Sequence, residues 1–284
     1  MMEDKLTIEA RGLGNDYYNH KIFNFLEDLF DFYGFLSDSC CNTADGCLIT
    51  GKYSVNSNIY SSVQGTVESI KILAYAGRLN DSFALTRKYE DAVYVDLYTN
   101  ILLEQDEQRI VNLEEDIRNI WNDSIVRKWT LQGKKLWKSN ELQKIKNTIK
   151  RVDSTLGTLL EKVWKKSDNR GQCNNNVHYN SWENFAINDY CYLQGSNKGV
   201  SFLNELYDII LNILVIHFSY TYIQKFPIFG SSDYVNCLDV GIRPEKDSQY
   251  WVASIVQDIF DKYIKKEYRE IADYLIDNGV MNLE

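Results

Sequence analysis

Apolar residues recur along this chain with helical rather than strand spacing. Between about residues 16 and 36, Ile22, Phe23, Leu26, Leu29, Phe30 and Tyr33 follow the i, i+3, i+4, i+7 rule of an amphipathic helix. Residues 40 to 57 are polar, contain glycine and show no clean period, which predicts a loop. A second helix is predicted over about 58–76, with Val63, Val67, Ile70 and Ala74 on one stripe. Gly77 ends it, and Asn80 or Asp81 is placed to cap the next helix by accepting from first-turn N–H groups. That third helix passes through Phe83, Leu85, Ala92, Val95 and Leu102. So short a connection predicts an antiparallel helical hairpin.

Further helices fit about 106–129 and about 140–166. Residues 167–198, rich in Asn and Gly, predict a loop with at most a short helix around 182–188. The strongest apolar element is about 200–224, where Leu203, Leu206, Ile210, Ile213, Leu214 and Phe218 predict a buried central helix. Residues 226–246 hold both prolines and read as a loop. Ser248 is the predicted cap of a final pair, about 250–264 and 268–276, with Gly279 beyond the end. No alternating run exceeds four residues, and no internal repeat appears. The expected fold is all-α: one domain over 1–284, a helical bundle with appended C-terminal helices. The alternative division is an N-terminal bundle over 1–166 and C-terminal helices over 199–284, joined by 167–198.

Composition narrows the class. With 44% hydrophobic and 25% charged residues in 284, the chain falls outside the disordered class. It has two prolines, Pro227 and Pro244, where average usage would give about fourteen, so few helices meet a forced break. The six cysteines make no C-x-x-C, and the three histidines no paired spacing, so neither a zinc site nor a disulfide framework is expected. The longest apolar run, Ile209 to Phe218, is interrupted by Asn212 and His217 and falls short of the ~20 residues that span a bilayer. The opening Met1-Met2-Glu3-Asp4-Lys5 has no basic or apolar export character. A cytoplasmic protein without membrane contact is expected. Phosphate-loop, dinucleotide-binding, zinc-protease and nucleophile-elbow motifs are missing, so no cofactor or metal is assigned.

Charge is unevenly spread. The net charge is −9, yet residues 127–170 hold 13 Lys+Arg against 4 Asp+Glu, which leaves −18 for the remainder. In this arm Lys134, Lys135, Lys138, Lys146, Lys150 and Arg151 could track a phosphate backbone, with Trp137, Trp129 and Trp164 as stacking platforms. The competing reading comes from Leu142, Ile145, Ile149, Val152, Thr155 and Leu159, an ordinary buried stripe. On that reading the lysines are a solvated face, or pair with an acidic neighbour or second subunit, and the tryptophans cover the core edge.

Two other segments carry candidate chemistry. In the hairpin, Arg87 and Asp91 are i, i+4 neighbours on a stripe with Ala84, Tyr94 and Tyr98, and Glu68 could join them from the facing helix. This is either an ion pair fixing helix register or, with Arg78, an anion site. In the loop Arg170-Gly171-Gln172-Cys173-Asn174-Asn175-Asn176-Val177-His178-Tyr179-Asn180, His178 could serve as a general base beside Arg170. The plainer reading is a loop histidine bonded to backbone. His217 reads as a hydrogen-bonded core residue.

The run from Ser62 to Ile70 (S-x-x-G-T-x-E-S-I), the hairpin from Gly77 to Asp91 and the later N-N-x-V-H-x-N are similar to uncharacterised bacterial helical proteins. These in turn resemble the HEPN group (higher eukaryote and prokaryote nucleotide-binding domains). The resemblance implies a helical bundle, often dimeric, in a toxin–antitoxin or phage-defence setting. Its active members resemble metal-independent endoribonucleases that use an Arg and a His. On that reading Arg170 steadies the scissile phosphate, His178 takes the 2′-hydroxyl proton, Asn180 positions it and the basic arm binds RNA. Seven residues lie between Arg170 and His178, more than the group's pattern has, and at that spacing a helix would not place them on one face. The second expectation is a non-catalytic module binding a protein partner or forming a homodimer. An arm packed on acidic groups, with His178 in bulk water, would favour this second reading.

Overall fold

The computed structural model describes residues 12–43, 51–107, 139–166, 170–178, 180–194 and 198–284. The fold is all-α. In order, the helices are α1 (Asn15–Tyr18), α2 (Ile22–Thr43), α3 (Gly51–Tyr75), α4 (Leu79–Glu107), α5 (Ser139–Val152), α6 (Ser154–Leu159), α7 (Glu161–Lys166), α8 (Arg170–Val177), α9 (Trp182–Ala186), α10 (Tyr190–Gln194) and α11 (Lys198–Gln224). After a 3₁₀ turn (Phe226–Phe229) come α12 (Asp233–Asp239), α13 (Ser254–Ile259), a π-helical continuation (Phe260–Lys265) and α14 (Arg269–Asn278). Extended pairing among the described residues is limited to the isolated bridges Gly230–Val252 and Trp251–Asn282.

The centre is made by α2, α3, α4 and α11: α2 packs along α3, α3 along α4, and α11 on α4 with a smaller contact to α2. The inward stripes predicted for α3 and α11 are buried as expected. Alpha11 is long and apolar enough to cross a membrane, with a mean hydropathy of 1.5 in its best window, but most of that window lies inside the bundle. Because α11 packs on α4 and α2 in one continuous core, a division between 1–166 and 199–284 does not separate two cores. The later helices wrap the bundle: the π segment docks on α2 through Lys262 Nζ and Tyr263 Oη, which donate to Asp28 Oδ2 at 2.9 and 2.6 Å.

Several boundaries differ from the sequence reading. Residues 40–57 are not all loop, since α2 runs on to Thr43 and α3 begins at Gly51. The predicted helix over 140–166 is three helices. Asp153 leaves helical geometry and caps α6 by accepting from Leu156 N–H at 2.9 Å. At the break Gly157 lies so near the Lys150 carbonyl that a Cβ would stand 2.7 Å from it. Residues 167–198 contain α8, α9 and α10, and 226–246 contain the 3₁₀ turn and α12. Ser248 caps no long helix; its hydroxyl donates to the Glu245 carbonyl at 2.7 Å, and α13 starts six residues later. The helix expected over 106–129 lies, beyond residue 107, outside the described residues.

The α3–α4 connection is a Schellman turn. Gly77, at φ 71°, donates to the Ala74 carbonyl, and Arg78 N–H reaches back to Leu73. Neither Asn80 nor Asp81 caps α4 with its own side chain. The Asn80 N–H is instead satisfied by Asn188 Oδ1 at 3.0 Å, 108 residues later in the chain.

Candidate functional site

Four helices contribute polar side chains to one place in the core, and helical spacing puts them there. Alpha2 brings Tyr33; α3 brings Asn56 and Tyr60, one turn apart; α4 brings Tyr89, Asp96 and Asn100, at i, i+7 and i+11. From α11 comes His217, and two turns on, just past the helix end, Lys225. All eight are buried, and Asp96 is wholly excluded from solvent.

Asp96 is the centre of this hub. Its Oδ1 accepts from Asn56 Nδ2 at 2.5 Å and lies 4.0 Å from Lys225 Nζ. Its Oδ2 accepts from His217 Nε2 at 3.1 Å, Tyr60 Oη at 3.2 Å and Asn100 Nδ2 at 3.3 Å. Burial alone would raise its carboxyl. The Lys225 ammonium and the donors of His217 and Asn56 outweigh burial and hold it down at about 2. A carboxylate only accepts, so Nε2 of His217 carries a proton. In the neutral tautomer Nδ1 then accepts from Tyr33 Oη at 2.8 Å, and Tyr33 accepts from Tyr89 Oη at 2.7 Å. Burial first, and then neighbouring phenols and Asp96, push the Tyr33 phenol well above its ordinary range, so it stays protonated.

Chemically this is a relay, Tyr89–Tyr33–His217–Asp96, in which a carboxylate fixes an imidazole that addresses a hydroxyl. It lies inside the bundle. A groove on the α2–α3 surface is lined by none of these residues. Among the described residues no set of three or more His, Cys, Asp or Glu is arranged to hold a metal ion.

Three of the sequence-predicted residues, Arg78, Arg87 and Asp91, lie in a second place, the seam between the start of α4 and α8–α10. Arg87 donates through Nε to Asn174 Oδ1 at 3.0 Å and pairs with Asp91, while Glu90 Oε2 lies 3.7 Å away. Asn80 Nδ2 donates to the Asn176 carbonyl and to its Oδ1, both at 3.0 Å. Arg78 Nε and Asn188 Nδ2 both donate to Asp81 Oδ2, at 3.1 and 3.2 Å. The hairpin motif and the asparagine motif are thus two halves of one contact. Glu68 does not join them; it lines the α2–α3 groove.

Arg170 opens α8 and His178 follows its last residue, a separation of about 12 Å along a helix axis. The His178 side chain is exposed, and Asn180 Nδ2 donates to Asn175 Oδ1 at 3.2 Å. In the arm, Lys134, Lys135, Lys138 and Trp137 lie outside the described residues. Lys150 pairs with Glu161 at 2.7 Å. Lys146 lies 5.0 Å from the Tyr94 ring centre and 5.5 Å from that of Trp164, and Trp164 is buried, stacked on Tyr94. Arg151 is exposed.

The hub was missed by the sequence reading, apart from His217 as a core residue. Its signal was a phase conflict. Of the apolar residues predicted along α4, Phe83 is buried but Leu85, Ala92 and Val95 are only half-buried, whereas Thr86, Tyr89, Val93, Asp96, Leu97 and Asn100 face inward. An apolar-only count discards the polar members of that face.

Fold and hub together define an all-α bundle organised around a buried charged centre. No family model, no curated protein and no solved structure matches the chain.

Proposed function

We propose that the protein is a non-catalytic helical module that forms a homodimer through α12 and the turn after it. One observation carries this: no residue of α12 is buried, yet Val235 and Leu238, and Val240 and Ile242 just beyond, are each more than half exposed. A seven-residue helix is marginal in water without a surface to pack on, and adjacent exposed aliphatics mark association sites on soluble proteins. A second copy supplies a matching apolar face about a twofold axis.

Two further features support the reading over RNA cleavage. Lys146, Lys150 and Trp164 are engaged with Tyr94, Glu161 and one another, and His178 faces solvent at the far end of α8 from Arg170. The test is size-exclusion chromatography with light scattering on wild type and Leu238→Asp. A dimer that the variant dissociates is the expected result. A monomeric wild type that instead retards single-stranded RNA, with retention falling steeply as salt rises, would return the function to the basic arm.

A further inference from the structure

Independently of α12, which contributes no residue to it, we propose that the groove between α2 and α3 is a docking site for a basic amphipathic helix of a partner protein. The groove has a volume of about 410 Å³ and is lined by Glu27 and Phe30 of α2 and by Glu68, Lys71, Ile72 and Tyr75 of α3. The α3 residues fall at i, i+3, i+4 and i+7, a stripe separate from the Val63, Val67, Ile70 and Ala74 stripe that enters the core. Ile72 and Tyr75 stay 45% and 41% exposed. Tyr75 rests one side of its ring on Tyr18 and Phe23, at 4.9 and 5.4 Å between ring centres, and leaves the rest, with Ile72, open to the groove.

The rim selects the occupant. Lys71 pairs with Glu27 across the groove. Glu68, one turn before Lys71 and exposed, makes no ion pair among the described residues, and exposed Asp31 lies one turn beyond Glu27. Carboxylates therefore outnumber ammonium groups here, on a chain whose net charge is −9. Charge complementarity calls for a cationic partner. A groove between two packed helices, with contact points repeating at helical intervals, suits a third helix. Aromatic faces at Phe30 and Tyr75 suit the stems and charged ends of lysine or arginine. The partner is a helix with an apolar stripe that meets Ile72 and flanking cations that meet Glu68 and Glu27.

The experiment is fluorescence anisotropy of a labelled two-heptad Leu/Lys peptide titrated with the full chain, beside a Leu/Glu counterpart. Glu68→Lys, Ile72→Asp and, as a distant surface control, Asp273→Lys are compared with wild type, each checked for helicity. Saturable binding of the Leu/Lys peptide is expected, weakened by about tenfold or more by either groove substitution and unchanged by the control. The Leu/Glu peptide should not bind. Lack of saturable binding, or equal weakening by Asp273→Lys, overturns the site. Loss of self-association in Ile72→Asp, read by light scattering, would assign the groove to a second copy and also overturn the proposal. Leu238→Asp separates the two ideas, because it dissociates an α12 dimer without touching the groove.

Discussion

The hub and the seam both place polar groups between packed helices, but with opposite electrostatics. In the hub one fully buried carboxylate gathers His217, Tyr60, Asn56, Asn100 and Lys225, and its charged form is the favoured one. In the seam the work is spread over amides bonded to amides and backbone. There burial raises Glu90 and Asp91 above the ordinary carboxylate range, against the pull of Lys146 and Arg87. In the hub several donors converge on one buried carboxylate, whereas in the seam ion pairs of Arg87 and Arg78 are embedded among dispersed amide contacts.

The largest expected effect breaks the hub. Asp96→Ala leaves the Lys225 ammonium without a nearby counter-charge and the His217 N–H without its acceptor, and should cost about 3–5 kcal/mol, read from urea unfolding. A cost near that of a surface substitution would show that the hub is not organised by charge. Acid sharpens the contrast next. The folded Asp96 value of about 2 lies below its ordinary 3.8. Its contribution is therefore complete above the ordinary value and lost as pH falls through about 2, roughly 2 kcal/mol in all. Asp96→Asn should abolish that acid-dependent loss. Glu90 and Asp91, being raised, run the other way: protonation favours the fold, and that gain disappears as pH rises through their raised values. Glu90→Gln should thus flatten the profile on the neutral side, measured by unfolding at several pH values.

The seam responds more gently. Arg87→Ala removes the partner of Asp91 and Asn174 and should cost about 1–2 kcal/mol, because the site is half-buried and water replaces part of what is lost. Asn188→Ala should cost about 1 kcal/mol, the usual value of a helix cap, with the first turn of α4 losing amide-exchange protection. A global loss matching Asp96→Ala would erase the distinction between the two regions. Smallest of all, His178→Ala should change stability by less than about 0.5 kcal/mol, since its side chain is exposed.

The same contrast explains what the residues declared in advance. Apolar periodicity exposed the all-α class, the α3 and α11 stripes and the hairpin at Gly77, because those faces are built from aliphatics whose burial follows directly from helical spacing. It misphased α4, whose inward face carries Asp96, Asn100 and tyrosines. The Arg87–Asp91 pair was legible because both partners sit on one helix. Its third member, Asn174, comes from 87 residues away, and local spacing holds no record of that. The break at Asp153 was hidden for a related reason, since a single cap interrupts a pattern whose apolar period continues through it.

The placement of α11 sets an order in time. As the chain is synthesised, α2, α3 and α4 emerge with Asp96 already facing inward, but His217 and Lys225 follow more than a hundred residues later. Until they arrive, Asp96 has the donors of Asn56, Tyr60 and Asn100 but neither the His217 N–H nor the Lys225 ammonium, so burying its charge costs more. Completion of the hub therefore waits for the last third of the polypeptide, because the carboxylate meets its imidazole and ammonium only once residues 217 and 225 have been made.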